Sequence, residues 1–180
     1  MYLLVTGFYA FLSHLDYLYA AVAAYLCGCF NGALFTSRLF FHDDVRTHGS
    51  GNAGLTNFYR TYGAKYALGV IALDMGKTVV AGLIGGYLFW FLRQDWTLGL
   101  LLAGIGCELG HMFPAFYGFK GGKGILCGGT LAWMLGWKVG LVAWGLFAAL
   151  WLLSKYVSLG SIFAGISLTV SVFLFYGHNW

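Results

Sequence analysis

Two short polar stretches interrupt an otherwise apolar sequence, and both combine glycine with side chains that bind anions. Residues 43–60 read DDVRTHGSGNAGLTNFYR, and residues 110–124 read GHMFPAFYGFKGGKG. Glycine lets successive backbone N–H groups converge on an anion, and lysine or arginine adds positive charge. Both stretches therefore predict binding sites for phosphate groups.

Each stretch also has a simpler interpretation. The first has the composition of an ordinary solvated loop with turn-forming Gly and Asn, and taken alone it leaves the two interpretations equally open. The lysines of the second fit an interfacial pair whose ammonium groups extend toward water. The glycines at positions 118, 121, 122 and 124 favour phosphate binding over that alternative, because interfacial lysines require no glycine.

Two nucleotide-binding motifs are excluded. Gly49, Gly51 and Gly54 formally match G-x-G-x-x-G, but that motif follows a buried strand, and no βαβ pattern surrounds these residues. In the second stretch, Lys123 is followed by Gly124 where a Walker A motif has Ser or Thr, so the magnesium-binding hydroxyl is missing. Phosphate binding here therefore does not imply a nucleotide-binding fold.

Two pairs of ionisable residues lie inside apolar runs. Asp74 and Lys77 are three residues apart in one run, and Glu108 and His111 are three apart in the next. Residues with this spacing share a helix face, so the members of each pair can face each other. An ionisable group within a membrane segment indicates a function by default. For Asp74 and Lys77, a structural ion pair is an equally good interpretation.

The composition places these groups in a membrane. Of the 180 residues, 60% are hydrophobic, 19% are aromatic and only 9% are charged, and the mean hydropathy is +0.77. A soluble domain of this size could not bury so much apolar surface. The sequence therefore predicts an integral membrane protein in a lipid bilayer, and its net charge of +4 does not indicate binding to nucleic acid.

Membrane helices must position the polar stretches. A spanning helix needs about 20 mainly apolar residues, and the clear candidates are residues 18–37, 64–92, 97–113 and 158–176. Two shorter helices fit between residues 125 and 153, with a turn at Gly136, Trp137 and Lys138, because a single helix would leave Lys138 near mid-membrane. The sequence predicts an all-α polytopic membrane bundle of six helices, with residues 1–180 forming a single domain.

The basic residues predict the orientation of this bundle. Lysine and arginine favour cytoplasmic loops, and if residues 38–63 are cytoplasmic, six basic residues face the cytoplasm and two face outward. The six are Arg38, Arg46, Arg60, Lys120, Lys123 and Lys155, and the two are Arg93 and Lys138. The N-terminus then starts outside, and both glycine-rich stretches lie on the cytoplasmic side.

Four stretches together resemble a known enzyme family. They are DDVRTHGSGNAGLTNFYRTYG, DMGK, GHMFPAFYGFKGGKG and YVSLGSI. In order and spacing they resemble the bacterial membrane-integral acyl-phosphate:glycerol-3-phosphate acyltransferases, and the resemblance covers most of the chain, from about Leu18 to Gly165.

The resemblance implies a seven-helix enzyme of phospholipid biosynthesis in the bacterial cell membrane, with its N-terminus outside and its site open to the cytoplasm. Such an enzyme transfers a fatty acyl group from acyl phosphate to the 1-hydroxyl of glycerol 3-phosphate, giving lysophosphatidic acid and phosphate. It uses no metal and no other cofactor, and it has a functional link to an acyltransferase that forms acyl phosphate.

The matched motifs and the chemistry of their side chains imply a role for each residue. Catalysis is assigned to Ser50, His111, Lys123 and His178. Substrate binding is assigned to Gly51, Asn52, Asn57, Arg60, Lys120, Gly121, Gly122, Gly124, Ser158, Ser161 and Asn179, and Asp74 and Lys77 are assigned to support of the site.

Three of these assignments are more specific. We expect Lys123 and the loop glycines to hold the acyl phosphate anion, and Arg60 to hold the anion of glycerol 3-phosphate. Either His111 or a substrate phosphate is expected to deprotonate the attacking hydroxyl. Ser158 has a simpler interpretation, because a serine at this position could cap the last helix.

The C-terminal end departs from the family pattern. In the family, a final helix ends in a histidine and asparagine element followed by a basic tail, whereas this sequence ends at FYGHNW. The resemblance therefore predicts that the family's C-terminal end is lacking. Either the last helix is absent, or a deletion has brought His178 and Asn179 into the place of that element.

Two other functions compete with this prediction. A transporter or channel for a phosphorylated solute also needs basic, glycine-rich breaks near membrane depth. It predicts paired broken helices in two symmetrical halves, however, and the sequence has no internal symmetry. A purely structural membrane subunit accounts for the aromatic helices and leaves both glycine-rich stretches unexplained.

Overall fold

The computed structural model describes residues 14–177. Over this range the chain forms eight α-helices, two 3-10 turns at Val45–Thr47 and Ala115–Tyr117, and no strand. The helices are α1 (Leu15–Cys29), α2 (Gly32–Phe41), α3 (Leu55–Tyr62), α4 (Ala64–Arg93), α5 (Trp96–Met112), α6 (Ile125–Leu135), α7 (Trp137–Ser154) and α8 (Val157–Tyr176). The predicted all-α fold class is confirmed.

Most of these helices are built to cross a membrane. Within the described range, five segments are long and apolar enough to do so, namely Leu15–Phe41, Ala64–Arg93, Trp96–Tyr117, Trp137–Ser154 and Val157–Tyr176. Helix α6, with 11 residues, is a shorter apolar helix. It ends at Leu135 and α7 begins at Trp137, so the predicted turn between two helices is confirmed. The protein is an integral membrane helix bundle.

The first span is not the single helix that the sequence predicts over residues 18–37. The chain breaks at Phe30 and Asn31, between α1 and α2. The Asn31 side chain caps α2, because its Oδ1 accepts a 2.9 Å hydrogen bond from the N–H of Leu34. Asparagine is a favoured N-cap, and here that preference interrupts an apolar run that is otherwise continuous.

The buried ion pair of α4 stabilises this break. Lys77 Nζ lies 3.0 Å from Asp74 Oδ1 and donates to the carbonyls of Gly28 and Phe30 at 3.2 and 2.5 Å. The N–H of Gly32 donates to Asp74 Oδ1 at 3.0 Å. Backbone groups inside a membrane must find partners within the protein. The predicted pairing of Asp74 with Lys77 is therefore confirmed, and the pair has a structural role.

Glycine brings α1 and α5 into close contact. A Cβ added to Gly28 would lie 2.1 Å from the carbonyl oxygen of Cys107, and one added to Gly110 would lie 2.1 Å from that of Tyr25. Small residues at such positions let two membrane helices approach closely. This contact places the end of α5, which carries His111, against the break between α1 and α2.

The two glycine-rich stretches meet at one end of the bundle, as predicted. Loop 1 (residues 42–54) joins α2 to α3, and loop 2 (residues 113–124) joins α5 to α6. The N–H of Ala53 in loop 1 donates to the carbonyl of Gly121 in loop 2 at 3.3 Å. At the opposite end, Arg93 Nε lies 2.8 Å from Asp16 Oδ2, which joins the end of α4 to the start of α1.

Candidate active site

Asn57 shapes loop 1 from within and is only 5% exposed. Its Nδ2 donates to the carbonyls of Val45 and His48 at 2.9 and 3.0 Å, and its Oδ1 accepts a hydrogen bond from the N–H of Ser50 at 3.0 Å. Both amide protons are therefore used inside the loop. Asn57 positions loop 1, including Ser50, and this differs from the direct substrate contact that the sequence predicts for it.

Loop 2 folds back on the end of α5. The N–H groups of Gly121 and Gly122 donate to the carbonyls of Met112 and His111, both at 3.1 Å. A Cβ on Gly121 would lie 2.0 Å from the His111 carbonyl oxygen, and one on Gly122 would lie 2.1 Å from His111 Nε2. These two glycines therefore serve close packing. The sequence predicts that their N–H groups bind phosphate, whereas in this structure both are bonded to carbonyls.

Lys123 and Gly124, which follow these two glycines, have backbone N–H groups that are not used within the loop. The N–H groups of Lys123 and Gly124 donate to no carbonyl or side chain within residues 14–177. Gly124, with a φ of +78°, is the N-cap of α6. A helix N-terminus attracts anions through its N–H groups and its dipole. The N–H groups that remain available to an anion are therefore those of Lys123, Gly124 and the first turn of α6.

Several hydrogen bonds join the two loops. Asn52 Nδ2 donates to the Gly121 carbonyl at 3.4 Å, and Arg46 Nη1 donates to the carbonyls of Tyr117 and Lys120 at 2.7 and 3.2 Å. Lys120 thus contributes its backbone carbonyl to the contact between the loops. Its side chain does not line the cavity between them, contrary to the substrate contact expected of it.

A cavity of about 480 Å³ opens between the loops. The first turns of α3 and α6 both border it, so the N-termini of two helices converge on one space. Helix N-termini favour anions, and Arg60, Lys123 and Lys155 add positive charge at the wall. The remaining lining residues are Ser50, Asn52, Gly54, Leu55, Thr56, Asn57, Ile71, Asp74, Met75, His111, Gly124, Ile125, Leu126, Trp144, Phe147, Tyr156, Val157 and Ser158.

This cavity brings together most of the site residues that the sequence predicts. Nine line it, namely Ser50, Asn52, Asn57, Arg60, Asp74, His111, Lys123, Gly124 and Ser158. Five others do not, namely Gly51, Lys77, Lys120, Gly121 and Gly122. Ser161 lines a second cavity. His178 and Asn179 lie outside the described residues.

His111 lines the cavity and is only 3% exposed. Its Nδ1 lies on the inner side of the ring, 2.9 Å from Lys77 Nζ and 3.5 Å from Asp74 Oδ1. Its Nε2 lies against Gly122 of loop 2. Lys77 and Asp74 therefore hold the ring of His111 from its Nδ1 side.

Ser158 connects α8 to loop 2. Its Oγ accepts a 2.5 Å hydrogen bond from Lys123 Nζ. Helix α8 begins at Val157 with Tyr156 as its N-cap, and no side chain caps it. The interpretation that Ser158 caps this helix is therefore wrong. The hydroxyl instead holds the Lys123 ammonium group at the edge of the cavity.

A second cavity, of about 280 Å³, adjoins the first. Both cavities are lined by the segment 123–125 and by Trp144 and Phe147 of α7. Trp144 Nε1 donates to the Gly129 carbonyl at 3.1 Å, which holds the indole against α6. The rest of the lining is mainly apolar and comprises Glu108, Gly128, Gly129, Ala143, Ser161, Ala164, Gly165, Leu168 and Thr169.

Several residues that line the two cavities received no site role from the sequence, among them Trp144, Phe147, Glu108 and Lys155. Trp144 and Phe147 have the pattern of any lipid-facing aromatic residues on a membrane helix. Glu108, which the spacing allows to face His111, lines the second cavity. Lys155 is used in the sequence analysis only to predict the membrane orientation. Its position directly before the YVSLGSI stretch is a signal that could have identified it as a site residue.

Two ionisable groups in and near loop 1, outside the membrane spans, have shifted pKa values. Hydrogen bonds from Arg46 hold the pKa of Asp44 well below its usual range, so Asp44 is ionised at neutral pH. Burial and a 2.8 Å hydrogen bond to Asp43 raise the pKa of Tyr62 to about 12. Tyr62 is therefore protonated at neutral pH and donates to the Asp43 carboxylate.

A family model and several relatives match most of the chain. A family model described as glycerol-3-phosphate acyltransferase matches residues 18–179. A glycerol-3-phosphate acyltransferase of Thermoanaerobacter sp. (strain X514) is 42% identical over 142 residues, which cover 79% of this chain and 69% of the relative. Another, from Finegoldia magna, is 37% identical over 160 residues, which cover 87% of this chain and 77% of the relative.

Solved structures share the fold as well as the sequence. The crystal structure of PlsY (YgiH), an integral membrane glycerol 3-phosphate acyltransferase, in its glycerol 3-phosphate form is 34% identical to this chain. It has a TM-score of 0.74 and covers 88% of this chain and 76% of its own. The lysophosphatidic acid form gives the same values. The resemblance found in the sequence is confirmed, and this chain belongs to the glycerol-3-phosphate acyltransferase family of integral membrane enzymes.

Proposed function

We propose that this enzyme transfers a fatty acyl group from acyl phosphate to the 1-hydroxyl of glycerol 3-phosphate, forming lysophosphatidic acid and phosphate for phospholipid biosynthesis. One observation carries the proposal. The N-termini of α3 and α6 border a single cavity, and that cavity adjoins a second, mainly apolar one. Two phosphate-bearing substrates, one with an acyl chain, match this combination. The PlsY structures in glycerol 3-phosphate and lysophosphatidic acid forms support the same substrates through the family relationship.

Glycerol 3-phosphate binds on the loop 1 side of the cavity. Arg60 of α3 lines the cavity there, together with Ser50 and Asn52. The planar fork of an arginine matches the oxygens of a phosphate, and the N-terminus of α3 adds a favourable dipole. Arg60 therefore holds the substrate phosphate, and loop 1 directs the 1-hydroxyl toward the acyl donor.

Acyl phosphate binds on the loop 2 side. Its phosphate lies at Lys123, Gly124 and the first turn of α6, where an ammonium group, N–H donors and the helix dipole act together. Its acyl chain extends past Trp144 and Phe147 into the second cavity, because removal of apolar chain from water is favourable. Binding of both ends fixes the acyl carbon between the two substrates.

The chemical step is attack of the 1-hydroxyl oxygen on the acyl carbon. A C–O ester bond forms, the C–O bond to phosphate breaks, and phosphate leaves with the bonding electron pair. Because acyl phosphate already carries a good leaving group, positioning and charge stabilisation supply most of the rate enhancement. The hydroxyl proton passes either to His111 Nε2 or to a substrate phosphate.

In this proposal the loops face the cytoplasm of a bacterial cell, since the basic residues concentrate at their end of the bundle. The chain then acts as a single domain of the cell membrane. A separate acyltransferase that forms acyl phosphate supplies the donor from the same side.

The proposal is tested with the purified protein in nanodiscs, palmitoyl phosphate and radiolabelled glycerol 3-phosphate. We expect labelled lysophosphatidic acid and an equal amount of released phosphate. Palmitoyl-CoA and palmitoyl-acyl carrier protein are expected to give no product, and glycerol, which lacks the phosphate that Arg60 binds, is expected to be a poor acceptor. Efficient transfer from palmitoyl-CoA, or phosphate release without ester formation, would contradict the proposal.

A further inference from the structure

Arg46 forms a bridge between loop 1 and loop 2. Its Nε and Nη2 donate to the two carboxylate oxygens of Asp44 at 2.9 and 2.8 Å. Its Nη1 donates to the carbonyls of Tyr117 and Lys120 at 2.7 and 3.2 Å. A single guanidinium group thus connects the 3-10 turn of loop 1 to the backbone of loop 2.

These hydrogen bonds leave little of Arg46 for a ligand. A guanidinium group has five N–H groups, and four of them are used by Asp44 and loop 2. The Arg46 side chain is 21% exposed and does not line the cavity between the loops, whereas Arg60 does. The two arginines therefore have different tasks.

We infer that Arg46 is a positioning residue for acyl transfer, whose guanidinium sets the spacing of the two loops and thereby the separation of the two bound phosphates. The contacts of Ala53 and Asn52 with Gly121 are longer, at 3.3 and 3.4 Å. Hydrogen bonds from a charged donor are also about twice as strong as neutral ones. Loss of the Arg46 bridge therefore releases loop 2, and both substrates bind less tightly.

A lysine cannot replace Arg46 in this geometry. An ammonium group is a compact charge at one point, whereas the guanidinium bonds a carboxylate on one edge and two carbonyls on another. Asp44 also accepts a hydrogen bond from the Arg46 N–H at 3.0 Å, so it fixes both the backbone and the side chain of the bridging residue.

The inference rests on the proposed binding of both substrates between the loops, and Arg46→Lys tests the bridge separately. We expect the KM values for palmitoyl phosphate and glycerol 3-phosphate to rise by about tenfold, the effect of losing one charge-assisted hydrogen bond. Hydrogen–deuterium exchange over residues 113–124 is expected to increase more than exchange in α7 and α8, which the bridge does not contact. Methylguanidinium added to Arg46→Ala is expected to lower both KM values again.

Arg38→Lys is the matched control. Arg38 contacts the same Asp44 carboxylate at 3.1 Å, but its side chain is 50% exposed, and we expect its KM values to stay near those of the wild type. Wild-type KM values in Arg46→Lys, or unchanged exchange in loop 2, would overturn the inference. If the Arg46 variants have wild-type KM values while Arg60→Ala and Lys123→Met have raised ones, the role of the bridge is refuted and the proposed substrate site is supported. If those two variants are also normal, the proposed site itself fails.

Discussion

Lys77 Nζ lies 2.9 Å from His111 Nδ1, and both side chains are buried where α1, α4 and α5 meet. The same Nζ binds the two backbone carbonyls at the break between α1 and α2. The backbone carbonyls of the break hold the Lys77 ammonium group, and this group in turn contacts the imidazole ring of His111. The break between α1 and α2 thus helps to fix the orientation of the His111 ring.

Replacement of His111 tests whether Nε2 takes the hydroxyl proton. We expect His111→Ala to lower kcat by about 10²- to 10⁴-fold, the usual contribution of a general base, with much smaller changes in both KM values. Steady-state rates with radiolabelled glycerol 3-phosphate measure this effect. His42→Asn is the control, because His42 ends α2 at a φ of +51°, which asparagine tolerates. A loss of less than tenfold in kcat would assign the proton to a substrate phosphate.

Replacement of Lys77 tests its structural role. Lys77→Met leaves the Asp74 carboxylate and the carbonyls of the break without their buried cation, and loss of one partner of a buried pair costs about 3–5 kcal/mol. We expect a clearly lower Tm in detergent, and the double variant Asp74→Asn with Lys77→Met is expected to recover part of the loss. Lys65→Met, at the exposed start of α4, is the control. Equal Tm values for both lysine variants would show that the buried pair does not stabilise the break.

The helices were predictable to a large extent, and the break was not. An apolar run of membrane length indicates a helix whatever its neighbours are, and Lys138 required a turn near its own position. The run over residues 18–37 is mainly apolar, however, and the break at Asn31 is held by Lys77 from another helix. That contact exists only in the folded bundle.

The site was predictable in its residue types and less so in its details. Glycine and basic residues identified both loops, and these loops do share one cavity. The carbonyls at the end of α5 decide which glycine N–H groups remain available, and they occupy those of Gly121 and Gly122. The turn at Val45–Thr47 decides that Arg46 bridges the loops while Arg60 faces the cavity. Spacing along the chain encodes neither outcome.

Asp44 gives loop 1 a specific dependence on pH. Its pKa in the folded protein lies below the ordinary value of 3.8, chiefly because Arg46 donates hydrogen bonds to it. A carboxyl group with a lowered pKa stabilises the fold fully above its unfolded pKa, and this contribution is lost as the pH falls through the folded value. We expect Asp44→Asn to have a lower Tm than the wild type at pH 7. This difference is expected to persist to about pH 5 and to shrink only below about pH 4. A difference that grows as the pH falls would contradict this account.

Trp144 is the residue expected to influence the choice of acyl chain. Its indole forms part of the wall of both cavities and is held by the 3.1 Å hydrogen bond to the Gly129 carbonyl. Trp144→Ala enlarges the apolar space, and each additional buried CH₂ group contributes about 0.8 kcal/mol. Long chains then gain contacts that short chains cannot reach. We expect the ratio of kcat/KM for octadecanoyl phosphate to that for dodecanoyl phosphate to rise several-fold.

The control for this measurement is Trp90→Ala, because Trp90 is 46% exposed on α4 and lines neither cavity. The KM for glycerol 3-phosphate at saturating donor serves as an internal reference, since that substrate is placed on the loop 1 side. If the chain-length ratio stays unchanged in Trp144→Ala, or shifts equally in Trp90→Ala, the acyl chain does not bind in the second cavity. A shifted ratio with a constant KM for glycerol 3-phosphate is the expected result, because the enlarged space then acts on the donor chain alone.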